Sequence, residues 1–417
     1  MTFSLYIHIP FCEVKCGYCD FFSVPRGYED FSLQEQYVKE LIREIELRSQ
    51  EAPRRDIDTL FFGGGTPSLL DPPLLEKIFQ ALKSYFSWNE KTEITLETNP
   101  KTVSLEKLKS FRSLGINRLS IGVQSFQDRF LKSMGRIHSG EEAKKTIREA
   151  REAGFENISM DLIFALPGQT FQDWQQDLEE AIRLETPHLS AYHLTIESGT
   201  TFETLYRKGK LKLPSEEDGV HCLTWTRERL CQVDMGAYEI SNFARPGFEC
   251  RHNQNYWQYG EYLGFGAGAA SFAKTSFLDV SLRGVKRRSN LPQKLDFQGD
   301  RHASFHSARD DKREHFAIRQ ANIRDLKKYL SGQWNGFSED INLKMAMGEF
   351  CMLGLRTREG MVKENFFREF GLKLEEVYSE TLDRWIQKGW LKAYSEGWQL
   401  TPNGLLFEND VSASFLK

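Results

Sequence analysis

The chain has no run of eighteen apolar residues, so no membrane-crossing helix is expected. Its start, MTFSLYIHIPFC, lacks the basic segment and long apolar stretch of a secretory signal. The net charge of -4 is too close to neutral for an electrostatic grip on nucleic acid or a membrane, and no nucleic-acid partner is expected. The cysteines number seven, and an odd count does not suit a disulfide framework. With no secretory signal, the expected compartment is the cytoplasm, where thiols stay reduced for metal or redox chemistry. A more specific shortage lies in CEVKCGYC: Cys12, Cys16 and Cys19 are followed by no fourth cysteine. Structural zinc usually takes four ligands and disulfides take pairs, so this trio calls for another partner.

What is present is length and order. The 417 residues, 31 of them glycine and 40% hydrophobic, suffice for one large core and a smaller second domain. SLYIHI, DTLFF, EITLET, RLSIGVQ, NISMDLIFAL and LSAYHLTI read as six strands, and amphipathic stretches separate them. Six β-then-α units predict a parallel sheet with helical crossovers, curled into a partial (β/α)6 relative of the TIM barrel. An open doubly wound sheet is the alternative. The predicted regions are a barrel over 1–275, a polar basic loop or insert over 276–320, and a helical, winged-helix-like domain over 321–417. The insert's charge reads as a solvated surface. ENFFREF and LEEVYSETLDRWIQKG read as two helices, and WLKAYSEGWQLTP as a hairpin. No basic recognition face accompanies them, so the domain reads as a packing or docking module.

The cysteine trio follows the first strand, on the rim where barrel enzymes place their sites. Fe–S clusters are held by cysteine thiolates. Three thiolates from one loop hold three irons of a four-iron cube, and the last iron stays open to an amine-and-carboxylate ligand. A zinc knuckle using His8 is the bland alternative, although the spacing is unusual for it.

C-x3-C-x2-C with an aromatic, Tyr18, before the last cysteine resembles the signature of the radical S-adenosylmethionine family. GGGTP, Gly63 to Pro67, is a second match. Glycines there let backbone groups approach a ligand closely, and in that family the stretch meets the amino group of S-adenosylmethionine. The resemblance implies a [4Fe-4S] cluster on Cys12, Cys16 and Cys19. It implies S-adenosylmethionine contacts from Tyr6, Tyr18, Gly64, Gly65, Thr66, Glu97, Gln124, Arg136 and Asp161. Carboxylates suit ribose hydroxyls, and a cation suits the ligand's carboxylate.

YIHIPFC, GGGTPS, GVQSF, DLIFALPGQT and RHNQNYW narrow the resemblance to the branch of oxygen-independent coproporphyrinogen III dehydrogenases and heme chaperones. The dehydrogenases carry one more cysteine where this chain has Phe21, and an extension where only five residues precede Tyr6. RHNQNYW matches the chaperones' H-N-x-x-Y-W. The branch thus implies heme as a further ligand, with His252 as its candidate axial ligand. Tyr256 and Trp257 would be stacking faces, and Asn253 would fix the imidazole. It implies delivery of heme to heme-requiring respiratory enzymes, some of them membrane-bound, by a cytoplasmic protein that works at the periphery of the inner membrane. A homodimer fits the same reading. The alternative is the dehydrogenase, which uses the 5′-deoxyadenosyl radical. No catalytic residue is assigned. Ala270 stands where the branch often has histidine, so no role can rest on an imidazole there. Cys250 reads as a buried inert thiol.

Overall fold

The computed structural model describes residues 3–25, 31–49, 55–274 and 315–416. Six strands follow one another in sequence and in space: β1 (Phe3–Ile9), β2 (Thr59–Gly64), β3 (Glu93–Thr98), β4 (Arg118–Gln124), β5 (Asn157–Phe164) and β6 (His188–His193). Each pairs in parallel with the next. The helices between them are α1 (Phe31–Ser49), α2 (Pro72–Lys83), α3 (Leu105–Ser113), α4 (Asp128–Met134), α5 (Gly140–Glu152) and α6 (Phe171–Arg183). Unbroken strand order is what repeated right-handed βα units produce. It removes the doubly wound alternative, whose strand order reverses at a switch point.

After α7 (Thr201–Arg207) and α8 (Glu216–Cys231) come two short strands, β7 (Gly236–Ala237) and β8 (Asn242–Ala244), that continue the sheet beyond β6. A short helix, α9 (Arg251–Trp257), then leads to β9 (Glu261–Phe265), which pairs in parallel with the free side of β1. β10 (Ala270–Lys274), β11 (Ala317–Asn322) and β12 (Asn335–Ile341) add on antiparallel. The sheet order is β7-β8-β6-β5-β4-β3-β2-β1-β9-β10-β11-β12. β1 therefore meets β9 rather than β6, and the barrel stays open. Residues 317–322, in a stretch that reads as insert or loop in the sequence, are a strand of this sheet. His315, just before this strand, lies 3.8 Å from Asp340 of β12.

Each strand of the barrel has two chemistries. In β4, Leu119, Ile121 and Val123 are buried among the helices, while Arg118, Ser120, Gly122 and Gln124 alternate with them on the lumen face. The helices supply the other half of the outer core: Tyr37, Leu41 and Ile45 of α1 join Leu5, Ile7 and Ile9 of β1 in one cluster. Ser139–Glu142, Thr170–Asp173 and Ser215–Asp218 are reciprocal capping boxes that fix the starts of α5, α6 and α8.

The smaller domain is built on α11 (Leu343–Leu355), which follows the short α10 (Leu326–Leu330). Then come β13 (Met361–Val362), α12 (Lys363–Phe370), α13 (Leu374–Gln387), and the hairpin of β14 (Leu391–Tyr394) and β15 (Gly397–Leu400). Phe350, Phe366, Leu382, Trp385 and Trp398 form its core, which Tyr259 and Phe272 join from the barrel side. Two helices and a wing-like hairpin match the sequence expectation. Among the described residues no helix is long and apolar enough to cross a membrane.

Candidate functional site

The cysteine loop begins as β1 ends. Cys12 is buried, while Cys16 and Cys19 are half-buried. Backbone bonds hold the loop in place: Gly17 N donates to Met134 O (3.0 Å), Phe202 N donates to Gly17 O (2.8 Å), and Cys19 N donates to Cys16 O (3.3 Å). The loop's shape is thus set by α4 and α7, independently of its side chains. Among the described residues no three His, Cys, Asp or Glu side chains converge as around one ion, although the three thiols are near enough to act on one another electrostatically. Burial pushes the Cys12 thiol up and that of Cys19 to about 11.

Arg136 approaches the loop from beyond α4. Its Nη1 lies 3.6 Å from Cys16 Sγ, and its Nη2 donates to Gly122 O (2.6 Å) and to Asn99 Oδ1. Asn99 passes the connection on: its Nδ2 donates to Thr66 Oγ1 (2.8 Å), which donates to Cys12 Sγ (3.6 Å). Arg136 and Thr66 therefore share one patch with two of the cysteines, and Gln124 joins it at Gly122, where a Cβ would come within 3.5 Å of Gln124, Asn99 and Arg136. Gln124 takes φ 68 at a register shift between β4 and β5, and such irregularities re-aim side chains at functional rims. Tyr18 packs on Phe202 at the same loop (6.3 Å between centroids).

The glycine stretch faces this patch. Gly64 has φ +113, which L side chains rarely adopt, and its N–H donates to Glu97 Oε2 (3.0 Å). A Cβ on Gly65 would sit 2.7 Å from the carbonyl oxygens of Pro10 and Phe11, so only glycine lets the two loops meet. Burial, then the neighbouring Asp161, pushes the Glu97 carboxyl from 4.5 to about 8. A folded-state pKa above the unfolded one means the native form binds its proton more tightly, so stability falls as pH rises through that window. Urea unfolding of the ligand-free chain should therefore show stability declining between 4.5 and about 8. Glu97→Gln should flatten that decline, and an unchanged slope in the variant would assign it to other groups.

Asp161 sits lower in the lumen with its oxygens engaged. Ser120 Oγ donates to Oδ2 (2.9 Å) and Ser190 Oγ donates to Oδ1 (2.7 Å). Burial pushes it up, and these hydroxyls pull it back.

Tyr6 and His8 point from β1 into the lumen. His8 Nε2 is 2.8 Å from the Phe22 carbonyl, which only accepts, so Nδ1 is left to accept from Tyr6 OH (3.1 Å). Burial lowers His8 to about 4, so the ring is neutral.

His252 is placed differently from the expectation. It is 1% exposed on α9 and stacks on Phe61 (4.9 Å, 25°). Thr59 Oγ1 donates to Ser4 Oγ (2.8 Å) and so accepts from His252 Nδ1 (2.7 Å). Nε2 then accepts from Tyr256 OH (2.7 Å). Both ring nitrogens are occupied, and burial followed by Arg118 lowers the ring to about 3. An imidazole held this way offers no nitrogen to an iron. Asn253 does not fix the ring: Thr59 and Tyr256 do. Trp257 lies under Arg356 (4.9 Å) rather than beside Tyr256's partners. Cys250 is fully buried, 3.7 Å from Glu93 Oε1, with its thiol pushed up to about 12.

Between the barrel and α11 is a cavity of about 460 Å³, within the usual ~300–1,000 Å³ range of cofactor sites. Tyr6, His8, Tyr256 and Tyr262 line its barrel side, Phe21 and Phe22 bring in the cysteine loop, and Met352 and Leu353 close it from α11. Ala270 is in its wall. Arg319 there is neutralised by Glu339 (2.8 Å) and Glu349 (2.7 Å). Arg324 is exposed and has no ion pair among the described residues. Sequence reading missed this cavity, and also Asn99, two residues after Glu97 on the same strand end.

The family profile described as the Radical SAM superfamily matches residues 6–181, and the HemN C-terminal domain profile matches residues 341–407. The heme chaperone HemW of Escherichia coli K12 is 32% identical over 99% of this chain and 98% of its own length. That of Synechocystis is 40% identical over 70% of this chain and 69% of its own. Among solved structures, Escherichia coli coproporphyrinogen III oxidase (HemN) superposes with a TM-score of 0.77 at 22% identity, covering 99% of this chain and 90% of that one. It shares the fold, barrel and C-terminal domain together. The superfamily implies a [4Fe-4S] cluster and S-adenosylmethionine as cofactors. With near-complete coverage at this identity, the chain belongs to the HemW family of radical S-adenosylmethionine proteins.

Proposed function

We propose that this chain is a heme chaperone: it binds heme beside its cysteine loop and hands it to heme-requiring respiratory enzymes. The observation that carries the reading is the aromatic cavity, into which the H-N-x-x-Y-W helix contributes Tyr256 and the cysteine loop contributes Phe21 and Phe22. A flat apolar macrocycle suits such walls. Arg324, which has no ion pair among the described residues, suits a propionate.

Cys12, Cys16 and Cys19 would hold the cluster, which when bound supplies one iron open to S-adenosylmethionine and an electron source. The fit is supported by the thiols' shared loop, by the Gly65 cradle, and by Arg136 Nε, a buried donor with no hydrogen-bond partner among the described residues. Of the chain's own groups, Arg136 is suited to an anionic ligand end. The Gly63–Gly65 backbone and Glu97 suit its amine and hydroxyls. Tyr6, Tyr18, Thr66, Gln124 and Asp161 complete the proposed set. The cytoplasmic face of the inner membrane is the proposed place of work, and pairing into a homodimer belongs to the same proposal.

Absorbance titration of the anaerobically reconstituted chain with heme tests the reading, and saturable one-to-one uptake is expected. No uptake, with protoporphyrinogen formed from coproporphyrinogen III instead, would assign the chain to the dehydrogenases.

A further inference from the structure

We infer that Tyr256, not His252, presents the ligand to heme iron, as a phenolate, and that His252 is the positioning residue behind it. This rests on the heme-binding reading and specifies its chemistry. Tyr256 is half-buried and lines the cavity, while His252 is buried behind it. The hydrogen-bond network fixes the direction of the proton. Thr59 uses its own hydrogen on Ser4, His252 gives its Nδ1 hydrogen to Thr59, and the lone pair at Nε2 faces the Tyr256 hydroxyl at 2.7 Å. A phenol must lose its proton to ligate ferric heme, and tyrosinate is an established heme ligand type. Here the acceptor is already in contact. On ligation the Tyr256 O–H bond would break and an Fe(III)–O bond would form; burial raises the phenol and lowers His252 to about 3, so the charge of the ferric iron, and not the basicity of the ring, would drive the proton onto His252 Nε2. The imidazolium then donates back to the phenolate oxygen, as an outer-shell partner that holds a ligand in orientation.

The i, i+4 spacing of His252 and Tyr256 on α9 places both on one helix face. Tyr256 is steadied further by Tyr262, edge-on at 4.6 Å between centroids. Tyr6 with His8 is a second phenol–imidazole pair in the same cavity. Its contact is longer, at 3.1 Å, and it lies on the glycine-stretch side, where a Cβ on Gly63 would come 2.9 Å from the Tyr6 ring. The geometry therefore favours Tyr256 for the iron.

The test is titration of the reconstituted full-length chain with ferric heme, read by absorbance and by resonance Raman bands of iron-bound phenolate. Wild type should show the phenolate bands. Tyr256→Phe should lose them and weaken uptake by at least about tenfold. Tyr256→His should recover uptake with a nitrogen-ligated spectrum, which also shows that the variant chain folds. His252→Gln should keep heme to within a few-fold but diminish the phenolate bands, a change that loss of packing alone would not select. Tyr6→Phe should retain the phenolate bands in whatever heme it takes up, because Tyr6 lines the same cavity without meeting the iron. Wild-type bands in Tyr256→Phe, or their loss in Tyr6→Phe, overturn the assignment while leaving heme binding intact. A wild-type chain that takes up no heme removes the underlying reading as well.

Discussion

Cys16→Ala is expected to leave the purified chain without iron, falling from about four atoms to near zero. Three thiolates are the fewest that hold a four-iron cube with one corner open, and two cannot replace the third. The loss should be local. Gly17 keeps both its backbone bonds, to Met134 and to Phe202, whatever side chain precedes it, and Arg136 remains tied to Gly122 and Asn99. Circular dichroism should therefore be unchanged while the visible absorbance of the cluster disappears. Cys231→Ala is the control: Cys231 is exposed on α8, far along the chain from the loop, and its loss should not alter iron. Wild-type iron in Cys16→Ala would move the cluster to another set of ligands.

The largest expected stability loss comes from a residue with no part in the chemistry. Glu44 on α1 is fully buried. Its Oε1 accepts from Arg48 Nη1 (2.6 Å) and Asn322 Nδ2 (2.7 Å), and its Oε2 accepts from Tyr329 OH (2.6 Å) and Gly266 N (2.9 Å). One carboxylate thus joins α1, the loop after β9, β11 and α10. Glu44→Ala should cost about 3–5 kcal/mol, because it leaves the largely buried charge of Arg48 without its counter-ion and takes an acceptor from Asn322, Tyr329 and Gly266. Urea denaturation measures it, with exposed Glu46→Ala as the control, expected within about 0.5 kcal/mol of wild type. A loss in Glu44→Ala no larger than the control's would mean that water replaces the carboxylate freely. The consequence reaches the cavity. Tyr37 on the same helix donates to His8 O (2.7 Å) and accepts from Ala267 N (3.0 Å), so α1 supports the strand and loop that carry Tyr6, His8 and Gly268.

The six parallel strands were legible because each is a short apolar run next to an amphipathic helix of matching length. The cysteine loop and glycine stretch were legible because backbone proximity demands particular residue types there. What escaped reading depends on distant pairing. β12 is NGFSEDI, mostly exposed; it falls in the segment read as a helical domain, and only its pairing with β11 makes it a strand. β11 meets β10 only across a segment whose sequence has no period. Glu44 reads as a solvated helix residue, although its offsets of three from Leu41 and seven from Tyr37 put it on their face. RHNQNYW reads as an exposed binding motif. Its helical spacing shows which residues are neighbours, but that His252 faces Thr59 and Phe61 follows only from the docking of α9 against β2. Winged-helix-like packing was legible in the C-terminal segment, whereas the wall that α11 gives to the cavity was not.

The cysteine loop's backbone partners, Met134 and Phe202, emerge from the ribosome long after Gly17 does. Until both have been synthesised and α4 and α7 have docked, the loop lacks these two backbone anchors. Stable cluster insertion on this loop is therefore expected only in a nearly finished barrel, and a chain truncated before α7 should keep less iron than the full chain.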